Sequence, residues 1–302
     1  MKVATSLAPA VFQGRAMGSD IVFAARAERA AAELAWATVA EMLAEVEGMC
    51  SRFRADSELS RVNAAPGPRV RLSPTFAEVV GLALDAAQAT EGLFDPGLLA
   101  AVRAAGYVVT FAELPAWQPL GERAPGGGWR AARLHGDTLV RPAGFALDLG
   151  GVAKGWAVDR ALAAVARRWP GLEAVLDAGG DVAVSAASAA GGGWEVGLER
   201  GGAIQLKRGA VATSGSGRRR WRAGAGWAHH LIDPAEGAPV SGGFASVTAV
   251  AGSAAQADVA ATALAVAGPA RFERLVHAWG VSAIAFASDG ATSAARWPPP
   301  AA

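Results

Sequence analysis

Apolar residues recur at two different spacings along this chain and divide it into long helices and short strands. Asp20 to Arg26 alternates loosely between apolar and polar and ends in charge, which predicts a strand. Glu28 to about Cys50 has helical spacing, with Leu34, Val39, Leu43 and Val46 near one face. A polar stretch, Ser51 to Asn63, follows. Ser73 then fits an N-cap and Pro74 a first helical position, opening a helix that runs to about Glu91 and stops at Gly92. From Leu139 the pattern reads as a strand ending in Asp148, a Gly-rich turn, a helix over Ala153 to Trp169 and a strand over Leu172 to Leu176. Short strands with Gly turns continue through Thr213. A helix with Ser253 and Gln256 as a capping box spans Ala254 to Ala267, a second runs from Pro269 to Trp279, and Val281 to Ala287 closes as a strand before an Asp289-Gly290 turn. Helices mixed with hairpin-like strands predict an α+β fold rather than a doubly wound sheet.

The chain reads as a single domain over residues 1–302, with its core at about 16–290. Residues 112–136, rich in Pro and Gly, are expected to be a loop or insertion, and residues 297–302 a frayed tail. The hydrophobic fraction of 52% against 18% charged is that of a globular chain with enough apolar surface for a core. No charge-free apolar run of about 18 residues is present, so no membrane span is expected. With 28 basic and 27 acidic residues, no long-range field draws the chain to nucleic acid. Cys50 is the only cysteine, which excludes an intrachain disulfide. The first residues make a poor secretory signal, and no cysteine near them can carry a lipid, so a cytoplasmic location is the default expectation.

Four segments offer chemistry. In Asp148-Leu149-Gly150-Gly151-Val152-Ala153-Lys154-Gly155, two glycines allow close backbone approach and a helix start offers N–H groups to an anion, with Lys154 adding charge. An ordinary tight turn with a solvated lysine has the same local pattern. In the capped helix, Asp258 and Thr262 stand four apart on one face. A carboxylate and a hydroxyl there are hard oxygen ligands suited to Mg²⁺, although two surface polar groups would look no different. His229 and His230 are adjacent and point to opposite sides if they lie in a strand, so they are not expected to share a metal; His230 can serve as a base near neutral pH or pair with Asp233. Phe94-Asp95-Pro96 follows a helix stop as a turn.

Taken in order, Met17-Gly18, Ser57 to Asn63, Gly92 to Pro96, Asp148 to Gly155, Asp177 to Asp181, Thr213-Ser214-Gly215, His230 to Pro234 and Asp258 to Thr262 resemble the ApbE family of FAD:protein FMN transferases. The resemblance extends from about residue 16 to 268. It implies interleaved α/β halves with FAD in the cleft between them. It also implies Mg²⁺-dependent transfer of FMN from FAD to a Ser or Thr of an acceptor protein bearing a Ser/Thr-Gly-Ala-Ser/Thr segment, with AMP released. By the same resemblance Asp258, Thr262 and the backbone of Gly151 are expected to bind the metal, and Met17, Phe94, Asp95, Asp148 and Lys154 the flavin nucleotide. His230 is expected in FAD binding and, with Asp258, in catalysis. Departures from the family pattern include Ser216 in place of an Asp and Ala261 in place of a second Asp. An FAD pyrophosphatase would use the same site and fits the same residues, whereas Asp258, Thr262 and His230 argue against a flavin-binding protein without catalysis, since storage needs no metal clamp.

Overall fold

The computed structural model describes residues 8–217 and 219–299. Eight strands form the central sheet: β1 (Ala10–Ala16), β2 (Ser19–Arg26), β3 (Glu173–Ala178), β4 (Asp181–Val184), β5 (Ala210–Gly215), β6 (Phe244–Ala251), β7 (Ser282–Ala287) and β8 (Thr292–Ala295). They lie side by side in the order in which the chain visits them, and every neighbouring pair is antiparallel. The β1–β2, β3–β4, β5–β6 and β7–β8 connections therefore all fall at one end of the sheet.

Period-two alternation sends side chains to two cores. From β2, Ile21, Phe23 and Ala25 enter the larger core, while Ala24 joins Val182, Val184 and Val211 on the opposite face. The larger core is covered by α1 (Arg29–Cys50), α3 (Pro74–Ala89), α5 (Ala153–Arg168) and α6 (Ala254–Ala267), while the short α4 (Leu99–Ala104) packs in a separate cluster with Trp221. A third cluster, between α6, α7 (Pro269–Trp279) and strands β6 and β7, centres on Leu264, Phe272 and Val247. On the other face of the sheet a hairpin, Trp194–Gly197 with Ala203–Leu206, supplies Trp194, Val196, Ile204 and Leu206. Trp297, expected in a frayed tail, packs against that cluster; Pro300 to Ala302 lie outside the described residues.

Several expectations hold and others need correction. Ser73 and Ser253 cap their helices as anticipated, accepting from the N–H groups of Phe76 and Gln256. In α1 the buried stripe is Ala32, Ala35, Val39, Leu43, Val46 and Cys50, and Leu34 faces solvent. The polar stretch contains a short helix, α2 (Glu58–Ala64), capped by Ser57. No strand ends in Asp148, because Thr138–Val140 is a separate short strand and residues 145–149 run as extended coil. That coil is held by side chains instead: Asn63 accepts from the Leu147 N–H and donates to the Leu147 carbonyl, both at 2.8 Å. Residues 112–136 lack long elements, yet Trp117–Gln118 pairs in parallel with Arg222–Ala223, tying the segment into the body. Among the described residues no helix is long and apolar enough to cross a membrane.

Candidate active site

Two helices and the ends of strands place the chemistry at one spot. α6 is apolar on nearly every side, so it is buried all round, between α5 and strands β5 and β6. Its start is fixed by Asp159 of α5, whose carboxylate accepts from the N–H groups of Ala254 and Ala255 at 2.8 and 3.0 Å. Gly155, in the first turn of α5, lets the helices touch: a Cβ there would sit 2.5 Å from the Ala254 oxygen and 2.7 Å from the Ala255 Cα. This contact sets the position of Asp258 and Thr262 one turn and two turns further along α6.

Asp258 is 5% exposed. Its Oδ2 has no hydrogen-bond partner, and Lys154 Nζ lies 3.8 Å away. Lys154 also forms a close ion pair with Asp181, the first residue of β4, itself 2% exposed. Two buried carboxylates therefore share one ammonium. Burial, followed by the charge of Asp181, pushes the Asp258 carboxyl up to about 7, although Lys154 pulls the other way. Burial opposes the charge of Lys154, but Asp181 and Asp258 outweigh it and hold the ammonium above its ordinary value.

Thr262 and Gly151 meet beside this group. Thr262 Oγ1 is 2.9 Å from Ser214 Oγ on β5, and a Cβ on Gly151 would lie 3.7 Å from Thr262 Oγ1 and 3.1 Å from the Phe94 ring. Thr262 thus lies beside the glycine turn, one helical turn from Asp258, and Phe94 is buried against the same turn. A desolvated carboxylate oxygen without a hydrogen-bond donor, one helical turn from a hydroxyl that lies beside a glycine backbone, suits a hard divalent cation. Among the described residues no cluster of three or more His, Cys, Asp or Glu could hold a metal, so such an ion would depend on the hydroxyl, the backbone and its substrate.

The remaining expected residues have polar groups that are partly engaged. Asp148 accepts from the Gly150 N–H at 2.8 Å and faces Arg52 Nε at 3.3 Å. Asp95 accepts from the N–H groups of Gly97 and Gly127, which locks the 112–136 segment over the turn; burial still raises its carboxyl above the ordinary range. Met17 takes a left-handed φ of 52° in the β1–β2 turn, followed by Gly18 at 66°, the pair of positive angles a type I′ hairpin requires. The neighbouring Ser19 Oγ accepts from Arg219 at 3.2 Å. His230 follows the strand Gly226–His229, with its Nδ1 buried and unpartnered. Desolvation, then the charges of Arg219 and His229, push its imidazole down to about 3, so it is neutral at physiological pH. His230 and Asp233 form no hydrogen bond or ion pair with each other; Asp233 accepts from the Ala235 N–H in its own turn.

Arg52 was not singled out from sequence, Asp181 and Ser214 stood out only as members of motifs, and Arg219 only as part of the basic run at residues 218–222. The Asp177-to-Asp181 motif was the available signal for Asp181, but its pairing with Lys154 across 27 positions is a product of the fold.

A buried site of two carboxylates, a lysine and a hydroxyl beside a glycine turn, at the connection end of an antiparallel sheet, distinguishes this α+β fold. Residues 17–285 match the ApbE family model. The chain is 34% identical over 251 residues to an FAD:protein FMN transferase of Rhodobacter capsulatus, covering 78% of this chain and 47% of that protein, so it spans about half that relative's length. It is 30% identical to an FAD:protein FMN transferase of Vibrio cholerae, covering 76% of this chain and 72% of the relative. The fold superposes on the crystal structure of the ApbE protein of Thermotoga maritima with a TM-score of 0.86 at 24% identity, over 95% of this chain and 97% of that one. The chain belongs to the ApbE family.

Proposed function

We propose that this chain transfers FMN from FAD to a Ser or Thr hydroxyl of an acceptor protein and releases AMP. The observation that carries the reading is the buried Oδ2 of Asp258, which has no hydrogen-bond donor and shares the Lys154 ammonium with Asp181, on the same helix as Thr262 beside the Gly151 turn. A fold that only stored flavin would have no use for an unsatisfied carboxylate in its interior, which costs stability. Asp258, Thr262 and the Gly151 carbonyl are the groups that would hold Mg²⁺, which when bound supplies Lewis-acid neutralisation of pyrophosphate charge.

The chain's own residues account for the rest of the reaction. The acceptor oxygen attacks the FMN-side phosphorus, the P–O bond to AMP breaks, and AMP leaves with the electron pair. Lys154 and the first-turn N–H groups of α5 lie where negative charge accumulates on the departing phosphate. His230, neutral and with Nδ1 free, accepts the hydrogen bond and then the proton of the acceptor hydroxyl. Anionic phosphate near Lys154 and Arg219 offsets the positive charge that depresses the imidazole and so makes it a better acceptor during the reaction. Phe94, buried against Gly151, fixes the turn that faces the pyrophosphate, with Asp95, Asp148 and Met17 forming the flavin-nucleotide rim.

The test is incubation of the purified chain with FAD, Mg²⁺ and a carrier protein ending in a Ser-Gly-Ala-Thr segment, followed by AMP release and flavin fluorescence on the denatured carrier. AMP together with labelled carrier is expected. AMP with only free FMN would make the chain a pyrophosphatase, and neither product would make it a binding protein. Asp258→Asn and Thr262→Val are each expected to lower the transfer rate by about 100-fold, and to weaken Mn²⁺ binding measured by calorimetry without FAD.

A further inference from the structure

Four of the eight large apolar residues left exposed among the described residues, Phe111, Trp117, Leu120 and Trp227, surround one small sheet. It consists of Arg220–Ala223, Gly226–His229 and Trp117–Gln118. One face of it, with Trp221, Ala223 and Ala228, is buried on a core of its own. The other face is open. There Arg222 is in register with Trp227 on one side and Trp117 on the other, and Arg220 is in register with His229. The guanidiniums of Arg220 and Arg222 lie 4.1 and 5.0 Å from the centre of the Trp227 ring. Neither arginine belongs to an ion pair among the described residues, so two positive charges face solvent on an aromatic floor. A cavity of about 240 Å³, walled by Phe111, Pro115 and Trp227, opens beside them.

This ribbon joins the active site at one end, where its two strands enter and leave opposite the Ala223–Gly226 turn. Arg219, one residue before it, bonds to Ser19 and projects its charge onto Lys154, His230 and Asp258; His230 is the residue immediately after it. A polypeptide lying along the open face is thereby led to the imidazole. We propose that this arginine–tryptophan face docks the acceptor protein, taking an acidic extended segment next to the hydroxyl that receives FMN. Charge complementarity selects the acidic segment, since unneutralised guanidiniums on aromatic rings offer both planar carboxylate recognition and apolar contact. The proposal rests on the transferase reading above.

The experiment uses the full chain with FAD and Mg²⁺ and two carrier proteins ending in Ser-Gly-Ala-Thr, one preceded by four Asp or Glu and one by four Lys. The acidic carrier is expected to be labelled with a KM about tenfold lower. In the Arg220→Glu/Arg222→Glu variant that order reverses, and Trp227→Ala raises the KM for the acidic carrier by about tenfold, while FAD affinity, followed by flavin fluorescence, stays within about twofold. Equal labelling of both carriers, or variants with unchanged carrier KM, would overturn the docking proposal and leave the transferase reading standing. Loss of FAD affinity in the variants would also overturn it, because the face would then belong to the nucleotide. A wild-type chain that binds FAD but labels neither carrier would remove the transferase reading, and the docking proposal with it.

Discussion

Arg52 sits between the rings of Phe53 and Tyr107, at 4.2 and 4.3 Å, donates to the Tyr107 carbonyl at 2.7 Å and faces Asp148. The two side chains are 9% and 13% exposed, so their charges cannot rely on water if separated. Arg52→Met is therefore expected to destabilise the fold by about 3 kcal/mol in urea titration, and to loosen the Gly150–Gly151 turn enough to raise the KM for FAD. Combining it with Asp148→Asn should cost less than the sum of the single changes; strict additivity would show that the pair does not couple. His230 provides a pH test. Its folded pKa of about 3 lies below the unfolded value near 6.5, so folding excludes a proton and stability is complete above about pH 6.5, then declines as pH falls towards 3. Urea midpoints from pH 7.5 to 4.5 should fall less steeply for His230→Gln than for wild type. At this scale the sequence was informative about identities and poor on partners. Asp258, Thr262, Gly151 and Lys154 could be named because their motifs are local, whereas Arg52 and Asp181 matter through contacts that only folding creates.

Among the elements, α5 and α6 decide whether the site exists. Both were legible to within a residue of their ends, because Ser253, the glycine turn and Gly268 mark boundaries that need no tertiary information. Leu34 shows the opposite case. In an alanine-rich helix the apolar stripe is broad, and small alanines at positions 32 and 35 take the buried face that a leucine would be expected to claim. The extended approach to Asp148 looked like a strand because Asn63 satisfies its backbone as a neighbouring strand would. Pairing of Trp117–Gln118 with Arg222–Ala223 spans more than a hundred residues and leaves no local trace. The close crossing at Gly155 makes a further prediction. Gly155→Ala pushes a methyl into α6 backbone that has no flexible end to yield, so a loss of about 1–3 kcal/mol is expected. Since α6 carries Asp258 and Thr262, divalent-ion affinity should drop in the same variant although no ligand has changed; unaltered Mn²⁺ affinity would show that α6 does not shift.

For the molecule as a whole, the α+β class and the long helices were readable from the two periodicities, but β1, the short helix α2 and the sheet's simple plan, hidden by its insertions, were not. Residues 27–172 separate β2 from β3, and the Arg220–His229 ribbon and two helices separate later strands. Those insertions bring the site together: Phe94, Asp148 and Lys154 come from the first, His230 from the second, and Asp258 and Thr262 from the third. Strand order has one more outcome. With β1 at one edge and β8 at the other, seven strand spacings of about 4.8 Å put the two outer strands roughly 30 Å apart. Rejoining β8 to β1 to open the chain elsewhere would demand a bridge of at least about ten extended residues. Circular permutants in which fewer than about ten residues in total, native tails included, join Ala295 to Ala10 should fail to fold, while longer bridges should retain flavin transfer, which makes the width of this sheet measurable by ligation chemistry alone.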